Sequence, residues 1–376
     1  MKLLFHSIIL LTCCTTLSAQ VNFEPETIDD IEIGYGIAIG DVDGDGRDDI
    51  ILADKKAFVW YRNPDWTRFT ILENLTDRDN VCLAARDING DGKVEMAVGA
   101  QWNPGETKDD QLSGSVHFLQ RSPDPSQPWT ALQLPHEPTV HRMQWVHTID
   151  GYQLVVVPLH GRGNVQGQGR GVQIYAYLPP DEVRDGWKRI LIDSSMHVTH
   201  NFDLIPDGNF EALLIGGKEG CRIFRYRNHH WQSSDDTEYQ TALYDGFGEI
   251  RIGEQFMAGI QPFHGNLLTI YRLNGKHQIV TDELKQGHAL ACADLLGQGK
   301  EQIIVGWREK NEDGEMGIKI FSAENADFNA WTGIWVDKNN MACEDLKVSD
   351  LNGDGKPEII AAGRSTKNLV IYWNRN

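Results

Sequence analysis

Beyond its first twenty residues, this 376-residue chain has no apolar run approaching the roughly 20 residues that cross a bilayer. A membrane span is therefore excluded. Positive charge is scarce: 35 Lys and Arg face 54 Asp and Glu, a formal net charge of −19. A surface of that sign repels phosphate backbones and anionic lipid, so nucleic acid is not an expected partner. Cysteine is scarce too. Two of six lie in the first twenty residues, and Cys82, Cys221, Cys292 and Cys343 are far apart with no CxxC spacing, which argues against a cysteine zinc site. Cys82, Cys292 and Cys343 sit in apolar, strand-like segments, as buried free thiols do.

The opening residues "MKLLFHSIILLTCCTTLSAQ" carry Lys2, an apolar run around Ile8–Leu11 and a small-residue end before Gln20. That is the pattern of a signal peptide over 1–19, which predicts a secreted or periplasmic protein. A lipoprotein anchored through Cys13 is disfavoured by Thr12 before it.

Four segments share one pattern of short alternating strand, Asp/Gly-rich turn and apolar strand: 35–54, 81–100, 288–307 and 344–363. Weaker copies occupy 141–161, 197–217 and 249–265, making seven. A third strand follows each copy, as in "AFVWYRN" or "LVIYWN", and a fourth often follows a Trp, as in "WTRFTIL" and "WTGIWV". Four strands in each of seven units predict an all-β, seven-bladed β-propeller over 20–376. The last unit lacks its outer strand, and "VNFEPETID" (21–29) has the pattern to supply it, so the N-terminal strand is expected to close the last blade.

The turn "DVDGDGRDD" sets Asp41, Asp43, Asp45 and Asp49 at positions 1, 3, 5 and 9. Asp87, Asn89, Asp91 and Glu95 repeat this, as do Asp350, Asn352, Asp354 and Glu358. Oxygens alternating along a tight glycine turn converge as a Ca²⁺ site requires. An EF-hand is excluded, because Leu52, Val98 and Ala361 stand where its twelfth-position Glu belongs. In the sixth unit, "DLLGQGKEQ", two ligands are missing and only a turn is expected.

Six residues before the first carboxylate of the strong loops stand Tyr35, Val81, His288 and Glu344. The weaker units, aligned on their own turns, give His141, His197 and Glu249. Equivalent positions on inner strands ring one end of a propeller channel. Imidazole and carboxylate there suit a central divalent ion, Zn²⁺, Mg²⁺ or Mn²⁺, held by His197, His288, Glu249 and Glu344. Alternatively they supply an acid–base set, or simply line a wet channel. The second strands end beside the starts of the first, so His160, Arg162, Lys218, His264, Arg308, Arg364 and Lys367 are expected at the same mouth.

The acidic loops resemble the FG-GAP/VCBS propeller repeats, in which calcium braces the blades. The combination "HRMQWV", "PLHGRGN", "GHALACADL", "GWR" and "GRSTKNLVIYWN" further resembles the propeller module of the aldos-2-ulose dehydratases. That resemblance implies a metal-assisted lyase removing water or a glycosidic group from a keto sugar. The cupin-borne isomerising step of the fungal enzyme is not expected of a chain that ends after its propeller. In this reading His160 or His141 is the base and Arg162 and Arg364 steady the oxyanion. Tyr35, Lys218, His264, Arg308 and Lys367 contact a small sugar or oligosaccharide. Two alternatives stay open: a polysaccharide lyase on uronic-acid polymers, and a non-catalytic carbohydrate- or protein-binding propeller. The sequence sets no oligomeric state.

Overall fold

The computed structural model describes residues 21–180, 186–234, 246–272 and 275–376; the expected signal peptide lies outside the described residues. Seven four-stranded antiparallel sheets stand around an axis. Their inner strands are β2 (Gly36–Gly40), β6 (Cys82–Arg86), β10 (Val140–Thr148), β14 (Thr199–Asp207), β18 (Glu249–Ile252), β22 (Gly287–Ala293) and β26 (Cys343–Ser349). All seven line a central channel of about 530 Å³. Among the described residues, no helix is long and apolar enough to cross a membrane.

Six blades are plain meanders. The seventh is ordered β1-β28-β27-β26, with β1 (Phe23–Asp30) paired antiparallel to β28 (Asn368–Asn374) from Phe23↔Asn374 to Asp30↔Asn368, beside β27 (Glu358–Gly363). The first strand therefore closes the ring, and the outer edge of the last blade is paired as in the other six.

Second strands lose the alternation of a half-buried strand. In β3 (Asp49–Ala53) and β27 every residue is buried, because each lies between two neighbouring blades. One such interface joins Ile50, Leu52, Val59 and Tyr61 of the first blade to Ile360, Ala362, Leu369 and Ile371 of the seventh. Each Ile, Leu or Val side chain among them contributes about 1.5–3 kcal/mol on burial, so blade packing holds the ring closed. Cys82 and Cys343 are buried free thiols, as their apolar context implies, whereas Cys292 is half-buried against the channel.

One core group resists charging. His117, on β8 (Ser115–Gln120), is buried with Nε2 unpartnered, and burial pushes its imidazole down to about 4. The unfolded chain takes up this proton near the ordinary value of 6.5, the folded chain only near 4. Stability is thus lost as pH falls through that window, by about 3 kcal/mol from this residue. Denaturant melts at pH 7 and pH 4 should show His117→Gln losing less stability than the parent by that amount.

Candidate active site at one end of the channel

The inner strands begin at one end of the channel, and four of them begin irregularly. The ladder slips between Val140 and Arg142, between Thr199 and Phe202, between Gly287 and Ala289, and between Cys343 and Asp345. An extra residue in one strand re-aims its side chain. The residues at these bulges are His141, His200 with Asn201, His288 and Glu344.

Three of the bulge histidines are oriented alike. His141 Nδ1 lies 2.8 Å from the carbonyl of His200, His200 Nδ1 2.7 Å from that of Gly248, and His288 Nδ1 2.5 Å from that of Glu344. A carbonyl only accepts, so each Nδ1 carries the proton and donates it to the next inner strand, or beside it. Each ring then turns its other nitrogen, Nε2, away from that carbonyl. His264, from the loop after β19 (Phe256–Gln261), completes the cluster with its Nε2 2.6 Å from His200 Nε2. Coordinating atoms of His200, His264 and His288 all lie within 4.8 Å of one another. Burial, followed by the neighbouring cationic groups, pushes His264 down to about 2 and holds His141 and His288 well below the usual imidazole value. Imidazole nitrogens are donors a transition metal takes, and the ring N–H of His141, His200 and His288 is fixed on a carbonyl as in ligating histidines, whereas His264 faces Arg308 through Nδ1.

Charged groups surround the cluster. Glu344, 2% exposed, accepts from Arg308 Nη1 at 3.1 Å through one oxygen and from Arg364 Nη1 at 2.8 Å through the other. Arg308 also donates to His264 Nδ1 at 3.2 Å and to Gln286 Oε1 at 2.6 Å. The Arg364 guanidinium sits 5.3 Å above the Tyr35 ring, whose hydroxyl donates to Asp79 Oδ2 at 3.1 Å. Burial, then the Asp79 charge, pushes that phenol up to about 12. Glu249 Oε1 lies 3.6 Å from His200 Nδ1 and Oε2 3.3 Å from Arg251 Nη2; burial raises its carboxyl, but the neighbouring His200 ring and the Arg251 charge outweigh this and leave it lowered.

Of the expected site residues, the fold brings His141, His264, His288, Glu249, Glu344, Arg308, Arg364 and Tyr35 into this network. His197 is a correction. Its side chain is 40% exposed and bonded to Glu219 at 2.8 Å, and the ring position belongs to His200. His197 lies six residues before Asp203, but the fourth blade turns at Asp207, four residues later. Arg162 is a second correction. It is tied to Asp110 at 2.8 Å, Glu137 at 3.1 Å and the Lys108 carbonyl at 2.9 Å, so it braces two loops and is not free to hold an oxyanion. Lys218 Nζ lies 3.5 Å from the Gln166 carbonyl, and Lys367 engages Ile31 and Gly363 through its backbone. His160 bridges to Val198, with Nδ1 buried and unpartnered and its imidazole lowered by burial. Trp102, stacked 5.1 Å from His141, and Arg142 were not legible as site residues.

The acidic turns occupy the opposite end of the inner hairpins. Asp41 accepts from the amides of Gly44 and Gly46 at 2.6 and 2.7 Å, both glycines having φ near +85° that a side chain would strain. Oxygens of Asp41, Asp43 and Asp49 converge within 4.8 Å, while Asp45 leans out toward Arg47. Asp87 and Asp350 cap Gly90 and Gly92, and Gly353 and Gly355, in the same way. In these loops Asn89 and Asn352 accept from Asp91 and Asp354, whose own carboxylates accept from Lys93 and Lys356, while Glu95 and Glu358 receive Ile88 and Leu351. The sixth blade has the neutral Gln302 in place of that last carboxylate.

An FG-GAP-like repeat model matches residues 35–98, and a model of the aldos-2-ulose dehydratase β-propeller domain matches residues 113–274. The chain resembles the aldos-2-ulose dehydratase propeller. The matched segment carries His141, Arg142, His160, His200 and His264. Aldos-2-ulose dehydratase of Phanerodontia chrysosporium is 24% identical over 370 residues, covering 85% of this chain and 38% of the relative, so the chain spans little more than a third of that dehydratase. Among solved structures, a chain of the mitotic checkpoint complex superposes with a TM-score of 0.59 at 12% identity, covering 100% of this chain and 99% of the other. The exotype rhamnogalacturonan lyase YesX superposes with a TM-score of 0.53 at 13% identity, covering 95% and 75%. At such identities these two show the shared fold.

Proposed function

We propose that this propeller is a secreted carbohydrate lyase that removes water or an alcohol from a keto sugar at the histidine-lined end of the channel. The observation that carries this is the convergence of His200, His264 and His288, with the proton of His200 and His288 fixed on backbone carbonyls. These three would hold a divalent ion of the zinc type, replacing the ligand set expected around His197. Such an ion, when bound, polarises a carbonyl and acidifies the neighbouring C–H.

The chain's own groups would do the rest. His160, whose buried Nδ1 has no partner, is the imidazole free to accept the α-proton. Asn201, Glu249 and the Glu344-bridged arginines present fixed hydrogen-bonding partners for hydroxyls. The three intact acidic loops would bind structural Ca²⁺, since Asp49, Glu95 and Glu358 are all carboxylates raised by burial that a cation would hold ionised.

The test is a substrate panel. Incubated with 1,5-anhydrofructose, 3-keto-glycosides and uronic-acid polymers, the protein should produce an enone absorbance from the keto sugars and lose it on chelation. Turnover of the polymers alone would instead make it a polysaccharide lyase, and silence across the panel a binding propeller.

A further inference from the structure

Most cations of the channel and its mouth are paired with carboxylates. Arg86 pairs with Glu211, Arg162 with Asp110 and Glu137, Arg251 with Glu249, Arg308 and Arg364 with Glu344, and Lys347 with Asp345. Arg142 has no such carboxylate partner among the described residues. Its Nη1 is held by the His141 carbonyl at 3.0 Å and faces His141 Nε2 at 3.2 Å. Its other donors are not buried without partners; the side chain lines the open channel. The His141 ring it faces lies 4.6 Å, centroid to centroid, from that of His200. A guanidinium this close to the cluster, fixed by one nitrogen and bonded to no carboxylate among the described residues, leaves donors for an anion.

We propose that Arg142 is the catalytic residue that holds the oxygen anion formed when the keto sugar loses its α-proton. This rests on the lyase reading above and deepens it. The C–H electron pair becomes the C=C bond of an enolate and the carbonyl oxygen takes the negative charge opposite Arg142. When the C=O bond reforms, the β-carbon expels its oxygen substituent, which leaves with a proton as water or an alcohol, and an enone remains. No oxidant or reductant is needed. A donor fixed in advance on the developing charge acts on the transition state more than on the neutral ketone.

Removal of Arg142 is accordingly a loss of kcat. Arg142→Met should lower kcat at least about 100-fold with KM within threefold, and Arg142→Lys, which keeps a charge but not the fork, should fall between. Guanidinium ion added to Arg142→Ala should restore part of the rate. A second readout needs no turnover: oxalate, a planar dianion resembling an enediolate, titrated calorimetrically into the metal-loaded protein. Binding should weaken at least tenfold in Arg142→Met and Arg142→Lys and stay unchanged in Arg162→Met, with bound metal the same in all. Unchanged oxalate affinity in both Arg142 variants overturns the assignment. If oxalate binding depends on Arg142 while the parent turns over no keto sugar, the anion site stands and the lyase reading falls.

Discussion

His200→Ala is expected to lose bound divalent metal and to lower keto-sugar turnover at least about 1,000-fold, whereas His197→Ala three residues earlier should leave both within twofold. The difference follows from one bulge. His200 sits at the slip between Thr199 and Phe202, 2% exposed, with Nδ1 on the Gly248 carbonyl and Nε2 beside His264. His197 lies outside the strand, bonded to Glu219. Removing one of three nitrogen ligands leaves the ion two protein donors, and the Lewis-acid contribution of several kcal/mol goes with it. Metal content by mass spectrometry and enone formation by absorbance give two independent readings. Because His200 also contacts Glu249, His200→Gln serves as the second variant: it keeps a donor for the Gly248 carbonyl and should fold while still losing metal. Metal retained in both variants sinks the ligand assignment.

The second large effect concerns stability. Chelation of the structural ions should lower the melting temperature by about 10 °C, and calcium alone should restore it. At a hundredfold excess over Kd each site contributes about 2.7 kcal/mol. Three sites together offset about 8 kcal/mol, against an unfolding entropy near 2.1 cal/mol/K per residue. Asp41→Asn, which weakens the first-blade loop, should remove about a third of the calcium-dependent shift. A melting temperature indifferent to chelator and calcium would reduce the loops to capped turns.

The propeller was legible because its repeats are marked by chemistry that folding requires: Gly at positive φ in the turns, carboxylates capping amides, and second strands apolar on both faces. Closure by 21–29 was legible for the same reason, since one outer strand was missing and one was spare. The mouth was legible in part. Arg308 and Arg364 directly follow their second strands and His264 lies three residues beyond its own, so reading the strand ends found them. His200 and Arg142 escaped because counting by two assumes an unbroken ladder. A bulge adds a residue without adding a turn, and in the weak blades no acidic loop fixed the origin. Arg162 misled in the opposite way, since a basic residue in the right loop is indistinguishable in sequence from one already paired with Glu137.

The three intact acidic loops belong to the seventh, first and second blades, which are consecutive around the ring and straddle the β1–β28 seam. Side chains stitch them together: Asn63 donates to the Leu351 carbonyl, and Arg121 to those of Val42 and Val94. During synthesis β1 emerges before its partner β28 and must wait for it, with its edge unpaired meanwhile. The order of emergence thus leaves closure of the ring to follow β28, and the intact acidic loops are concentrated where that joint is made.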